Sequence, residues 1–301
     1  MQRLIEPFLN KLRFIRKMVK NGFFSSKLWC ASIPDRDEVL AYIRSRGPRE
    51  PELKDVDLHS DSQFKLLEHY LQFYKDLPFP EKQVPQYRYF YDNTWFSYAD
   101  AIYLCCFLRM HTPARIVEIG SGFSSAVILD TVDNFYPTRP EITFIEPQPE
   151  RLESLLRKED KSHVTLIDKK LQEVSSEVFS SLEEGDFLFI DSSHILRCGS
   201  DLQRILFEIL PVLPPGVFVH FHDVFYPFDY PAEWLLEGRY CNENYFLRAF
   251  LAYNCEWSIY FFSTYAAFAF SDFLKTNMPM CLKNPGGSLY IKREKKKRLS
   301  A

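Results

Sequence analysis

Glu118, Glu146, Asp191, His194, His222 and Asp223 are the side chains whose types and spacing could do chemistry together. Short apolar runs at 116–119, 142–145, 187–190 and 217–221 contain or end in five of them, and His194 follows Asp191 by three residues. Carboxylates so placed can accept hydrogen bonds from a ligand or hold a cation, and an imidazole takes up a proton near neutrality. Behind Glu118 comes Gly120-Ser121-Gly122, where glycine permits positive φ and leaves no Cβ to block a ligand. Ser124 and Ser125 are placed to cap a helix beginning near Ala126, so its free N–H groups would face whatever lies over the turn. Glu146, after the second run, is placed to accept from both hydroxyls of a ribose. The stretch therefore reads as a nucleotide site. A dinucleotide dehydrogenase would use the same geometry, but its fingerprint needs a third glycine where this chain has Ser125.

Each of these residues also has a plainer reading. An Asp ending a strand often caps the next helix, and a lone strand-end His is often only hydrogen-bonded. Asp191, His194, His222 and Asp223 at the ends of two neighbouring strands favour function when taken together. His220, two residues before His222 on the same face of its run, is assigned to packing or to support of the site.

The elements that must position these residues alternate in type. Strands are expected at 116–119, 142–145, 164–167, 187–190, 217–221, 257–262 and 288–291, with helices at 125–132, 150–157 and 200–210 between the first five. Strands and helices at this spacing demand right-handed crossovers, hence an α/β fold with a doubly wound, mostly parallel sheet. The last strand, reached through Asn284-Pro285-Gly286-Gly287, is expected to pair antiparallel with the sixth. Upstream, helices are expected at 37–45, at 62–77 and from Ser97 to Met110, the last opened by a capping box of Ser97 and Asp100. Domains follow as an N-terminal helical segment at 1–85, a catalytic-looking domain at 86–293 and a basic tail at 294–301.

Composition is that of an ordinary globular protein: 301 residues, 46% hydrophobic and 26% charged. A net charge of −3 supplies no overall field for nucleic acid. Seven cysteines without a C-x-x-C or disulfide framework point to a reducing cytoplasm, with Cys105 and Cys106 as buried apolar filler. No apolar run reaches membrane-spanning length without charge, and no signal-peptide pattern is present. Leu4, Ile5, Phe8, Leu9, Leu12, Ile15 and Val19 form one face of a basic amphipathic helix suited to self-association or to peripheral membrane contact. The 28 Phe and 17 Tyr include clusters at Tyr87–Tyr91 and Phe225–Trp234 that are expected to wall an acceptor site.

In its order of motifs over about 87–293 the chain resembles class I S-adenosylmethionine-dependent methyltransferases, whose Rossmann-like sheet has seven strands and an antiparallel finish. The resemblance implies that Glu118 and Gly120-Ser121-Gly122, with Ser124, border the methionine part of the cofactor. It likewise implies that Glu146 meets the ribose and Gln172 the adenine, with Asp191 also among the cofactor-binding residues. Asp191-Ser192-Ser193-His194 and His222-Asp223 are similar to the metal-dependent O-methyltransferases of the catechol and sugar-hydroxyl type. By that resemblance Asp191, His222 and Asp223 are metal ligands, and His194 is the base. His222-Asp223 departs from the family's usual Asp-Asn or Glu-Asp pair, so His222 either ligates or stands behind the ligands. Two carboxylates suit Mg²⁺, whereas an imidazole leans toward Mn²⁺, Fe²⁺ or Zn²⁺, with Mg²⁺ or Mn²⁺ expected ahead of Zn²⁺. The implied activity is methylation of a hydroxyl on a small molecule or saccharide, with catalysis by Asp191, His194 and Asp223. A non-catalytic interaction module on the same fold is the alternative, and a dehydrogenase the next.

Overall fold

The computed structural model describes residues 33–48, 50 and 52–295. The basic amphipathic pattern at 4–19, and the tail from 296 onward, lie outside the described residues. One compact unit comprises Met1–Pro48 with Pro231–Tyr240, and a second comprises Arg49–Tyr230 with Cys241–Ala301. In the first, α1 (Arg36–Ser45) opens with a reciprocal cap. Asp35 Oδ1 accepts from the Glu38 N–H, and Glu38 Oε2 from the Asp35 N–H, both at 2.9 Å.

The second unit holds the sheet. Its helices are α2 (Ser60–Tyr74), α3 (Ala99–His111), α4 (Phe123–Phe135), α5 (Glu150–Leu155), α6 (Glu177–Ser180), α7 (Asp201–Arg204), α9 (Glu243–Leu251), α10 (Ser263–Ala269) and α11 (Ser271–Asn277); α8 (Ala232–Leu236) belongs to the first unit. The strands are β1 (Arg115–Ile119), β2 (Glu141–Ile145), β3 (Val164–Ile167), β4 (Phe187–Ile190), β5 (Phe218–Phe221), β6 (Trp257–Phe262) and β7 (Leu289–Arg293). They lie in the order β3-β2-β1-β4-β5-β7-β6. The first five pair in parallel, and β7 runs antiparallel between β5 and β6, so the doubly wound α/β sheet with its antiparallel end stands as expected.

Alternation along the strands sorts side chains into two cores. Ile116, Phe144, Phe187 and Phe189 face one layer, with α3 and α4, while Val117, Ile119, Leu188 and Ile190 face the other. Ala99 to Leu108 of α3 are all buried, Cys105 and Cys106 included, as expected for a helix apolar on every side. α2, which the sequence put in the N-terminal segment, sends Leu66, Leu67 and Tyr70 into this same core.

Several local expectations need correction. α4 begins at Phe123, with Ser125 inside its first turn. α3 has no side-chain cap: Ser97 Oγ accepts from Asn284 Nδ2, which leaves the Asp100 carboxylate for other partners. Residues 200–210 are not one α-helix. α7 gives way to a π turn at Ile205–Ile209 and a 3₁₀ turn at Leu210–Val212 where Pro211 cannot continue the ladder. Residues 232–251 and 263–277 each hold two helices separated by a break.

Arg88 ties the segment before α3 to the sheet's helices. Its guanidinium donates from Nε to Asp160 at 2.8 Å and from Nη1 to Asp130 and Asp133 at 2.7 and 2.8 Å. The backbone N–H groups of Arg88 and Tyr89 both reach Asp130 Oδ2 at 2.8 Å. Arg88, Asp130 and Asp160 are buried, so removing the cation strands two acids out of water. Arg88→Ala should therefore lose about 3–5 kcal/mol of unfolding free energy in urea titration. A loss under about 1 kcal/mol would mean the pairs contribute no more than surface salt bridges.

Candidate functional site

The turn from β1 into α4 is held from below. Gly120 has φ +78°, and a Cβ there would overlap the backbone carbonyl oxygen of Asp191, so no other residue fits the approach of β1 to β4. The Gly120 N–H donates to Ile145 O at 3.0 Å and the Asp191 N–H to Ile119 O at 2.8 Å, which joins the ends of three strands. Under the turn, Ser125 Oγ accepts from the Gly122 N–H at 2.9 Å and donates to Glu118 Oε2. Glu118 is fully buried, and its other oxygen, like Ser121 Oγ, is buried without a hydrogen-bond partner among the described residues. Burial pushes the Glu118 carboxyl up to about 8, against the opposing pull of the Ser124, Ser125 and Ser121 hydroxyls.

Beside the turn lies a cleft of about 680 Å³ whose walls include Gly120, Glu146, Gln172, Asp191 and Ser193. That volume suits a small-molecule or cofactor site, for which roughly 300–1,000 Å³ is usual. Glu146 accepts from the Ser121 N–H at 3.0 Å and the Gln148 N–H at 2.8 Å. Gln172 is exposed in a 3₁₀ turn (Leu171–Glu173) after β3, and its Nε2 donates to Gly199 O at 2.9 Å. Gly120, Glu146, Gln172 and Asp191 thus meet at one opening, while Glu118, Ser121, Gly122 and Ser124 are buried around the turn at its edge.

Asp191 also belongs to a second cluster, at the carboxyl ends of β4 and β5. His194 Nε2 lies 3.3 Å from Asp191 Oδ1 and 3.5 Å from Asp223 Oδ2. Ligand atoms of Asp191, His194 and Asp223 all fall within 4.8 Å of one another, close enough for one metal ion. Two carboxylates and an imidazole form a donor set that fits a divalent cation. His222 stands farther back: its Nδ1 is 3.6 and 3.7 Å from Asp191 and Asp223, its Nε2 is 3.5 Å from Asp100 Oδ2, and its ring packs on Phe96. The structure thus groups His194 with the two acids where the sequence put His222.

Charges in the cluster support one another. Burial works to raise the Asp191 carboxyl, but the His222 and His194 imidazoles outweigh it and hold that carboxyl well below the usual range. Burial disfavours a charged His194, yet Asp191 and Glu243 outweigh it and raise the imidazole well above its ordinary value. His222 is raised likewise, against burial, by Asp223, Asp191 and Asp100. Burial raises Asp223 despite both histidines.

Two site residues escaped the sequence reading. Glu243 Oε2 lies within hydrogen-bond distance of His194 Nδ1, at 2.7 Å, and Glu243 is almost wholly buried at the start of α9. Asp100, read as a helix cap, instead accepts from the Gly287 N–H at 2.9 Å and Ser288 Oγ at 2.7 Å and faces His222. Neither has a spacing signal, because each reaches the site from a helix distant in sequence. His220 is core, with its ring 4.1 Å from that of Phe189. Of the aromatic runs, Tyr89, Tyr91, Tyr226, Phe228 and Tyr230 are buried in the core, while Tyr87, Phe90, Phe225 and Trp234 are half-buried.

Glu118 has a consequence for stability against pH. The folded protein keeps this proton up to about pH 8, whereas the unfolded chain loses it near the ordinary value of 4.5. Stability from this group is therefore full below pH 4.5 and falls as pH rises toward 8. Glu118→Gln, which is never charged, should melt higher than the unaltered protein at pH 8 and lose that advantage by pH 4.5. Equal melting shifts at both pH values would show that the carboxyl is already ionised at neutrality.

Residues 117–224 match a family described as a methyltransferase domain. An uncharacterized protein of Archaeoglobus fulgidus is 34% identical over 179 residues, which is 57% of this chain and 77% of that protein. Among solved structures, a Podospora anserina methyltransferase with S-adenosylhomocysteine bound is 19% identical, covering 87% of this chain and 98% of its own, with a TM-score of 0.36. The O-methyltransferase TomG of Streptomyces achromogenes, solved with S-adenosylmethionine, is 15% identical, covering 86% and 96%, with a TM-score of 0.39. Similarities as distant as these two bear on neither acceptor nor residue roles. The chain belongs to the same family as the archaeal protein, and its residues 117–224, which match a methyltransferase domain, lie within a doubly wound, Rossmann-like sheet.

Proposed function

We propose that the protein is an S-adenosylmethionine-dependent methyltransferase that methylates a hydroxyl of a small molecule or saccharide with the help of a divalent cation. The observation that carries this reading is Asp191, which both walls the cleft with Glu146 and Gln172 and belongs to the donor set with His194 and Asp223. When bound, S-adenosylmethionine supplies an electrophilic methyl on its sulfonium, and a divalent cation such as Mg²⁺ or Mn²⁺ lowers the pKa of the acceptor hydroxyl. Glu146 accepts from the ribose, and Gln172 lies at the adenine end. Glu118 and Asp191 bring carboxyl groups toward the cationic methionine part, with Glu118 Oε1 and Ser121 Oγ left over as buried polar atoms at the turn. Asp191, His194 and Asp223 hold the cation, and His222 backs them.

A metal-free reading is second. His194, hydrogen-bonded to Glu243 and facing two carboxylates that favour its protonated form, can act as a general base only above its raised titration, where the neutral ring takes the acceptor's proton as the O–CH₃ bond forms and the S–CH₃ bond breaks. A binding-only module has no use for so many converging acids, and a nicotinamide dehydrogenase would lack its third glycine.

Isothermal titration should find S-adenosylhomocysteine bound at micromolar affinity, with Glu146→Ala at least about tenfold weaker, or roughly 1.4 kcal/mol. NADH should not compete; binding of NADH without binding of adenosyl compounds would end the methyltransferase reading.

Turnover separates the two chemistries. With a cation at work, chelation and Asp223→Ala should each abolish methylation of an accepted substrate while most cofactor affinity remains. If His194 is instead a metal-free base, chelation should leave turnover intact and His194→Ala should lower kcat by roughly 10²–10⁴. Wild-type turnover under both treatments would leave positioning alone as the catalytic device.

A further inference from the structure

His194 is held from outside the sheet, by the start of α9. Its backbone oxygen accepts from the N–H groups of Asn242 at 3.1 Å and Glu243 at 3.2 Å. Asn242 Oδ1 accepts from the Leu196 N–H at 2.6 Å, and Asn242 Nδ2 donates to Leu196 O at 3.3 Å. These bonds hold His194 in a left-handed backbone conformation, φ +59°, which few residues other than glycine adopt unaided. The side chain is oriented as well. Glu243 Oε2, 2.7 Å from Nδ1, is acceptor-only when ionised, so the proton of a neutral imidazole resides on Nδ1. The Nε2 lone pair then points between Asp191 Oδ1 and Asp223 Oδ2.

We infer that Glu243 is a positioning residue that, from 49 positions along the chain, fixes both the tautomer and the direction of the His194 imidazole and so completes the Asp191–His194–Asp223 donor set. A carboxylate behind a ligating histidine raises its basicity and locks its ring, and loss of such a partner typically weakens metal binding by about 10–100-fold. Ser192 Oγ, 3.4 Å from Glu243 Oε1, holds the other carboxylate oxygen toward the same loop. This inference rests on the proposed reading of the cluster as a cation site, but the state of the imidazole can be tested without any metal.

The test uses the full chain and three proteins: unaltered, Glu243→Ala and Glu243→Gln. Titration calorimetry with MnCl₂ should show Glu243→Ala binding at least about tenfold more weakly than the unaltered protein, with S-adenosylhomocysteine affinity unchanged. Glu243→Gln keeps an oxygen acceptor and should recover part of the loss, and it stands in if the alanine variant fails to fold. Equal Mn²⁺ affinity in all three overturns the inference. If the unaltered protein binds no Mn²⁺, the cation reading fails by itself, and ¹⁵N shifts of His194 in the metal-free proteins, read above its titration, then decide. A proton on Nδ1 that leaves that nitrogen in Glu243→Ala supports positioning by Glu243. An identical tautomer in the unaltered and alanine proteins overturns it.

Discussion

The approach of the β1–α4 turn to the end of β4 is the constraint on which the rest of the site depends. Because residue 120 is glycine, the Asp191 backbone can lie directly against the turn. The bonds from Gly120 to Ile145 and from Asp191 to Ile119 then pin three strand ends in register. Glu118, Glu146 and Asp191 converge as a consequence, each from a different strand end. A side chain at 120 would push β4 away from β1 and separate the cleft beside the turn from the cluster that shares Asp191 with it. Parallel sheets commonly bind ligands at this edge, where strand carboxyl ends leave backbone groups and turn residues free to face solvent.

Charge is the second organising term. Asp100, Asp191, Asp223 and Glu243 surround His194 and His222 at the end of β4 and β5, and Asp100, Glu243 and His222 are nearly inaccessible to water. Acids crowded in this way are tolerable only with positive charge among them. The two imidazoles supply it as they stand, and a divalent cation held by Asp191, His194 and Asp223 would supply it in their place. Those alternatives compete for one lone pair, that of His194 Nε2, so cation occupancy and the proton on His194 are linked.

The sheet was legible because each strand is short, apolar and closed by a polar residue, and because alternation with helices leaves few topologies. Glu118, Gly120, Glu146 and Asp191 could be read because local sequence and fold rule agree at strand ends. What could not be read has a common physical cause. Ser97 and Asp100 match a capping box in spacing, but the cap competes with Asn284, Gly287 and Ser288, which arrive from the far side of the sheet. Periodicity also cannot separate an exposed aromatic loop from core. Tyr226, Phe228 and Tyr230 alternate with Pro227, Asp229 and Pro231, and the alternation itself puts one face of that loop in the interior. Glu243 sits at the opening of an unremarkable helix, and nothing within ten residues of it marks its partner.

The division between strand ends and helices bears on how the site can change. Asp191 and Asp223 stand at the ends of β4 and β5, whose backbones are fixed by ladders on both sides. His194 lies three residues past its strand, and its place comes from Asn242 and Glu243 instead of a ladder. Asp223, two residues past β5 at φ +58°, is also tied to that helix, its backbone oxygen accepting from Asn244 Nδ2 at 3.1 Å, so α9 bears on two of the three donors. Any movement of α9 relative to the sheet would therefore bear on His194 and Asp223 together, while Asp191 keeps its backbone bond to Ile119 at the end of β1. The cleft walled by Gly120, Glu146 and Asp191 and the donor set thus depend on different segments of one chain, which meet at Asp191.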